Sequence, residues 1–95
     1  MLSVRAQNAI KIAIVDKKLA LELVTAIDAV KAGPAPQSLS VKLKRNLRNI
    51  ITDKKQYDAL IALFVAGSFG TMSKKLKRLI DEAFLDKKIA AEIYS

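Results

Sequence analysis

Cationic side chains recur at intervals of three and four residues in two segments of the chain, with leucine and isoleucine on the opposite side. Residues at that spacing share one face of an α-helix, so each segment is predicted to form a basic amphipathic helix. Lysine and arginine on a common face can bind phosphate or carboxylate groups. The candidate contact residues are Lys42, Lys44, Arg45, Arg48, Lys74, Lys77 and Arg78.

The sequence leaves the partner of these basic faces open. The chain has 17 Lys and Arg residues against 9 Asp and Glu residues, and its net charge of +8 favours an acidic partner. Nucleic acid, an acidic protein surface and plain solvation of a small apolar protein all fit this charge. The support for nucleic acid is weak, because the few aromatic residues lie in apolar stripes and no helix-turn-helix pattern with a polar recognition helix occurs.

Catalytic chemistry has little support in the residue types present. The chain has no histidine and no cysteine, which excludes Ser-His and Cys-His nucleophiles and imidazole or thiolate metal sites. The adjacent Asp81 and Glu82 point about 100° apart on a helix, so they do not form an acid–base pair. No phosphate-binding loop, EF-hand or metalloprotease motif occurs. We therefore predict a non-enzymatic protein without cofactor, metal ion or small-molecule substrate.

The tripeptide Asp-Lys-Lys occurs three times, at 16–18, 53–55 and 86–88, and it divides the chain into repeats. Setting the three sites in register places Leu2-Ser3 on Leu39-Ser40 and on Met72-Ser73, and it also aligns the apolar positions that follow. The spacing between successive Asp-Lys-Lys sites is typical of duplicated helical units. The sequence predicts one domain, 1–95, with repeats at approximately 2–33, 39–67 and 72–95.

The repeats predict an all-α fold. Gly and Pro are confined to the linkers 32–38 and 67–70, and the segments between them have helical rather than alternating apolar spacing. Ser3, Ser40 and Ser73 stand where a helix N-cap is expected. Short linkers favour antiparallel neighbours, so we expect a compact bundle of five or six helices rather than an extended solenoid.

The apolar stripe of each repeat is interrupted at Asp-Lys-Lys. Either each repeat is a helical hairpin with the aspartate capping its second helix, or it is one long helix whose charged turn faces solvent. Aspartate is a good cap and a poor interior residue, which favours the hairpin. Two lysines in a first turn would oppose the helix dipole, so we predict that the first helix ends near Lys18. The tripeptide is then a turn rather than a binding motif.

The segment 59–69, ALIALFVAGSF, is apolar on nearly all sides. Such a helix is normally buried, but Phe64, Val65 and Phe69 are also candidate contacts with a second subunit. The third repeat is shorter than the others, which suggests that a partner completes it, and we expect a homo-oligomer. The longest uncharged run, 59–73, is too short to cross a bilayer, so we expect a soluble protein without membrane contact.

The first repeat, LSVRAQNAIKIAIVDKKLALELVTAID, resembles a short helical repeat that occurs in bacteriophage structural proteins. The matching positions are Leu2-Ser3, Ile10, Ile14, Asp16, Ala20 and Glu22-Leu23. Copies cover the whole chain, and the middle copy departs from the pattern at 57–59. The resemblance implies a virion component without enzymatic activity, of the capsid-associated, cement or connector type, that binds other virion proteins.

The resemblance also implies a location in the virion, after assembly in the host cytoplasm. Two alternatives remain open at this point. The protein could be a small basic nucleic-acid-binding protein that contacts phosphates, or a cytosolic helical adaptor that binds an acidic protein.

Overall fold

The computed structural model describes residues 1–33 and 35–94, so Pro34 of the first linker and Ser95 of the third repeat lie outside the described residues. The described part contains six α-helices and no strand, which confirms the all-α prediction and the two helices in each repeat. The helices are α1 Val4–Ala13, α2 Lys17–Ala32, α3 Val41–Ile50, α4 Lys54–Ala66, α5 Lys74–Phe84 and α6 Lys87–Tyr94.

The first helix of every repeat begins at the predicted serine cap. The hydroxyl oxygens of Ser3, Ser40 and Ser73 each accept a hydrogen bond, 3.1 Å long, from the backbone amide three residues further along. Each bond pairs an amide that has no partner inside the helix. The N-cap prediction is therefore confirmed in all three repeats.

The aspartate of Asp-Lys-Lys ends the turn between the two helices and caps the second one, but the predicted end of the first helix is wrong, and the two lysines lie in the second helix rather than in a turn. The first helix ends at Ala13 rather than near Lys18, and the lysines open the second helix. The Asp16 carboxylate accepts from the amide of Lys18 at 2.9 Å, and Asp86 accepts from the equivalent amide of Lys88 at 2.9 Å. Asp53 caps α4 by accepting from the amide of Gln56 at 3.2 Å. The carboxylate offsets the dipole at the helix start, and the exposed ammonium groups extend into solvent, where their repulsion is weak.

The three repeats close into a ring. Within each repeat the two helices contact one another, and between repeats α2 contacts α3, α4 contacts α5, and α6 returns to α1. This cyclic order, together with the repeat-equivalent residues that line the central cavity, indicates an approximate threefold axis, and α1 additionally contacts α5. The molecule measures 27 × 27 × 25 Å, which confirms the compact bundle and excludes an extended solenoid.

Carboxylates join successive repeats at the serine caps. Glu22 accepts hydrogen bonds from the Ser40 amide at 2.8 Å and from its hydroxyl at 2.7 Å. The repeat-equivalent Glu92 accepts from the amide and hydroxyl of Ser3, a residue 89 positions away, and so closes the ring. In the middle repeat Ala59 occupies the glutamate position, and the Ser73 hydroxyl donates to the side-chain oxygen of Gln56 at 3.3 Å.

Replacing Ala59 by glutamate should install the missing junction. A carboxylate at this position can accept from the cap of α5 as Glu22 and Glu92 do at the other junctions, so we expect Ala59→Glu to raise the free energy of unfolding by about 0.5–1.5 kcal/mol. Urea denaturation followed by circular dichroism measures the change.

Ala62→Glu is the matched control for that variant, because Ala62 is also exposed on α4 and the substitution lowers the net charge equally. Equal stabilisation by both variants would show that the gain comes from the charge alone.

The core lies along the threefold axis and is built from repeat-equivalent residues. Ile14, Ile51 and Phe84 form one set around the axis, and Leu23, Leu60 and Ile93 form another. Between them is an apolar cavity of about 40 Å³. No buried side-chain nitrogen or oxygen in the described part of the chain lacks a hydrogen-bond partner.

The apolar segment of the middle repeat lies inside this core. Phe64 and Phe69 are 2% and 7% exposed, and their rings meet edge to face with centroids 5.1 Å apart. Both rings fill space inside their own chain, so the prediction that they contact a second subunit is corrected for these two residues. Val65, on the outer side of α4, is the exposed member of the predicted set.

Candidate docking surface

Helix α5 places its predicted basic residues along a groove. Lys74, Lys77 and Arg78 line a depression of about 570 Å³ together with Lys87 from the start of α6. The Lys77 ammonium also lies 5.4 Å from the centre of the Tyr94 ring, a cation–π contact that holds this side chain against the bundle. The structure therefore brings four cations of the third repeat to one groove, which they share with Asp81, Glu82 and Asp86.

Leu85 stands at the end of this basic groove. It ends α5 in the left-handed conformation, with φ 55°, and it is the one non-glycine residue with positive φ in the described part of the chain. For a residue with a Cβ this backbone conformation costs about 1–2 kcal/mol. The Leu85 side chain is nevertheless 91% exposed, so within the chain no packing offsets that cost.

A second groove, of about 460 Å³, lies on the other side of Leu85, between α1 and the α5–α6 turn. Its walls are mainly apolar and include Ile12, Phe84 and Ile89. Ile12 is 80% exposed. At one wall Arg5 forms an ion pair of 3.0 Å with Asp86.

Leu85 and Asp86 line both grooves and so join them into one surface. We refer to this pair of grooves, one basic and one apolar, as the docking surface. Its principal residues are Ile12, Lys74, Lys77, Arg78 and Leu85.

Lys74, Lys77 and Arg78 of this surface are among the contacts predicted from the sequence, whereas its apolar residues are not. A signal was present in the repeat alignment, where Ile12 stands at the position that Asn49 and Glu82 occupy in the other copies. At this position the first repeat thus has an exposed apolar residue where the other two have polar ones. The backbone conformation of Leu85 has no comparable signal in the sequence.

The basic residues of α3 belong to a different repeat and form a separate face. Arg48 is not presented outward, because it donates to the carbonyls of Ile51 at 3.2 Å and Thr52 at 2.7 Å and lies 5.9 Å from the Tyr57 ring centre. It secures the end of its own helix. Of the remaining predicted contacts, Lys42 and Arg45 are exposed and Lys44 is half-buried.

Three carboxylates at the repeat junctions have lowered pKa values. The amide of Gln56 and the side chain of Lys75, 3.3 Å away, lower the pKa of Asp53. The amide of Ile89 is the main cause of the lowered pKa of Asp86, and the charge of Arg5 adds to it. For Glu92, the amide and the hydroxyl of Ser3 lower the pKa from its ordinary value of 4.5.

The hydrogen bonds from Ser3 to the Glu92 carboxylate, which close the ring, should therefore weaken in acid. Because the folded pKa of Glu92 is lowered, its carboxylate contributes stability above pH 4.5 and loses that contribution as the pH falls through the folded value. We expect Glu92→Gln to have a lower Tm than the parent at neutral pH, and the difference to shrink as the pH falls towards about 3.

Thermal unfolding at a series of pH values tests this expectation, with Glu82→Gln as a control at an exposed carboxylate. A Tm difference between Glu92→Gln and the parent that stays constant with pH would contradict it.

The described residues contain no group of three or more acidic side chains placed to hold a metal ion. None of the helices in the same part of the chain combines the length and the apolar character needed to span a bilayer. A scan against protein-family models found no family that matches the chain, and searches of curated proteins and of solved structures found no match either. The docking surface and the repeat pattern therefore carry the functional proposal.

Proposed function

We propose that this protein is a non-enzymatic structural protein of a bacteriophage particle, of the capsid-associated, cement or connector type, that attaches to another virion subunit through the docking surface. The proposal of attachment rests on one observation, the exposure of two aliphatic residues next to the cations of α5. Leu85 is 91% exposed and Ile12 is 80% exposed. The location in a particle is supported by the resemblance of the repeat to those of phage structural proteins.

The internal structure of the bundle supports a docking role. Each repeat uses its serine cap and its polar junction residue to bind its neighbours, and the ring returns to its own first helix. The serine caps and polar junction residues, which could otherwise link separate copies end to end into a filament, are therefore hydrogen-bonded to one another within one chain. The docking surface and the basic face of α3 lie on the outside of the bundle, and both suit contact with a larger assembly.

Mass spectrometry of purified particles tests this proposal. Particles of the phage that encodes the chain, separated on a density gradient into full and empty capsids, should contain the protein at a constant ratio to the major capsid subunit. A protein that is abundant in the infected cell but absent from both particle fractions is not a virion component, and that result would overturn the proposal.

Nucleic-acid binding is the second candidate function. It is favoured by α3, which carries four basic residues and no acidic one, with Lys42 and Arg45 exposed. Contacts with phosphate would give an affinity for duplex DNA that falls steeply as salt rises. The same gradient distinguishes the two candidates, because a protein held by packaged DNA would be depleted from empty capsids.

A further inference from the structure

We propose that the docking surface receives an acidic amphipathic helix of another protein, with its apolar side on Leu85 and Ile12 and its acidic side against the cations of α5. This inference rests on the docking role proposed above and names the chemistry of the partner. A helix that lies in a groove typically anchors itself with apolar residues at i, i+3 or i+4, and i+7. Two grooves joined along a common edge suit such a two-sided ligand.

The apolar half of the surface supplies anchor positions for that ligand. Ile12 and Leu85 stand on opposite walls of the apolar groove, and Phe84 and Ile89 contribute apolar surface between the two helices. Contact with a leucine or isoleucine of the partner would remove Leu85 from water and compensate for its strained backbone. Exposed apolar residues grouped in this way mark a contact site more often than scattered ones.

The basic half of the surface selects for carboxylates. Lys74, Lys77, Arg78 and Lys87 share the groove with three acidic residues, but two of these carboxylates are engaged within the chain. Asp81 accepts from the Tyr94 hydroxyl at 2.9 Å, and Asp86 accepts from Arg5 and from the first-turn amides of α6. The groove therefore has a small excess of positive charge, four cations against three carboxylates, and the Asp86 carboxylate is already paired with Arg5.

A second copy of this chain suits the surface poorly. Each copy carries a net charge of +8, and a twofold contact through this face would place the same cations opposite one another. Nucleic acid would meet the lysines and the arginine but would leave Leu85 and Ile12 without a role, because bases stack on aromatic rings rather than on aliphatic side chains. An acidic protein helix uses both halves of the surface.

A synthetic peptide provides the probe. It is about 14 residues long, or four helical turns. Leucine stands at every third or fourth position, so that the leucines share one face of the helix, and glutamate stands on both sides of that face. Its fluorescence anisotropy is followed as the full-length protein is added at about 50 mM salt. We expect saturable binding, and binding weaker by about tenfold or more for a scrambled peptide of the same composition.

Two variants remove the apolar anchors without disturbing the fold. Leu85→Asn introduces a residue that tolerates the left-handed conformation, so its Tm should equal or exceed that of the parent. Ile12→Asn copies the residue that the middle repeat carries at the equivalent position, Asn49. We expect each variant to bind the peptide about tenfold or more weakly, because each loses one buried aliphatic contact.

A matched pair of charge variants tests which basic face is used. Arg78 and Arg45 hold the same repeat position on α5 and α3. Arg78→Gln should weaken peptide binding by about threefold or more, whereas Arg45→Gln should change it by less than about twofold. Equal losses in the two variants would show attraction to the net charge alone and would overturn the proposal.

Other results would also overturn the assignment. These are no peptide binding at millimolar concentration, equal affinity for the ordered and scrambled peptides, or unchanged affinity in Leu85→Asn. Self-association in sedimentation experiments that Leu85→Asn abolishes would assign the surface to a second copy. Each of these outcomes is compatible with a protein that is found in purified particles, so failure of this inference is distinguishable from failure of the proposed function.

Discussion

Replacing Phe64 by alanine is expected to lower the free energy of unfolding by about 3–5 kcal/mol, the usual cost of removing a buried aromatic ring. The ring is 2% exposed, meets Phe69 edge to face and lines the apolar cavity on the threefold axis. Its loss would enlarge that cavity and leave the rings and aliphatic side chains around it without contacts. Urea denaturation followed by circular dichroism, at two protein concentrations, measures the effect.

Val65→Ala is the matched control for Phe64→Ala. Val65 is the next residue on α4 and is 58% exposed, so its truncation should change stability by less than about 0.5 kcal/mol. A core role for Phe64 predicts a loss of stability that does not depend on protein concentration. A small loss that shrinks on dilution, as both proteins become monomeric, would instead return Phe64 to the subunit contact that the sequence suggested.

Gly67→Ala is expected to destabilise the fold by about 2–5 kcal/mol, because the added Cβ would strain the backbone and would also overlap with atoms of the linker. Gly67 ends α4 at φ 77°, and its amide donates to the carbonyls of Leu63 and Phe64. A Cβ there would stand 2.6 Å from the carbonyl carbon of Ala35 and 2.8 Å from the backbone nitrogen of Pro36. These are backbone atoms of the linker, which the Gln37 amide ties to the Phe64 carbonyl at 2.8 Å, so they cannot move aside cheaply.

Gly33→Ala provides the comparison for Gly67→Ala. A Cβ at Gly33 would meet no atom within 4 Å, and its φ of 172° is extended backbone that any residue adopts. We expect a change in stability of less than about 1 kcal/mol, and a small gain is consistent with a less flexible unfolded chain. Similar losses at Gly33 and Gly67 would contradict the close approach of the linker to the end of α4.

The local features of the fold could be predicted from the sequence because they depend on neighbouring residues. A serine before an apolar helical pattern caps that helix through its own first-turn amides, and Asp16 does the same two residues before Lys18. Three copies of one pattern also predict three copies of one structure. The exception was the place where the first helix ends, since the aspartate cap outweighed the unfavourable position of the two lysines.

Contacts between distant residues depended on the tertiary structure. The repeat period specifies the helices of each unit but not the rotation from one unit to the next, so the pairing of Glu92 with Ser3 could not be deduced. That rotation turned Phe64 and Phe69 towards the axis, and it brought Ile12 of the first repeat opposite Leu85 of the third.

The sequence by itself determined an all-helical chain of three capped hairpins with a strongly basic surface, because periodicity, caps and charge are properties of short segments. The tertiary structure alone decided that the hairpins close into a ring and that a basic groove and an apolar groove meet at Leu85. The physical reason is that burial and surface shape depend on which helices pack together. Those contacts join residues as far apart as Arg5 and Asp86.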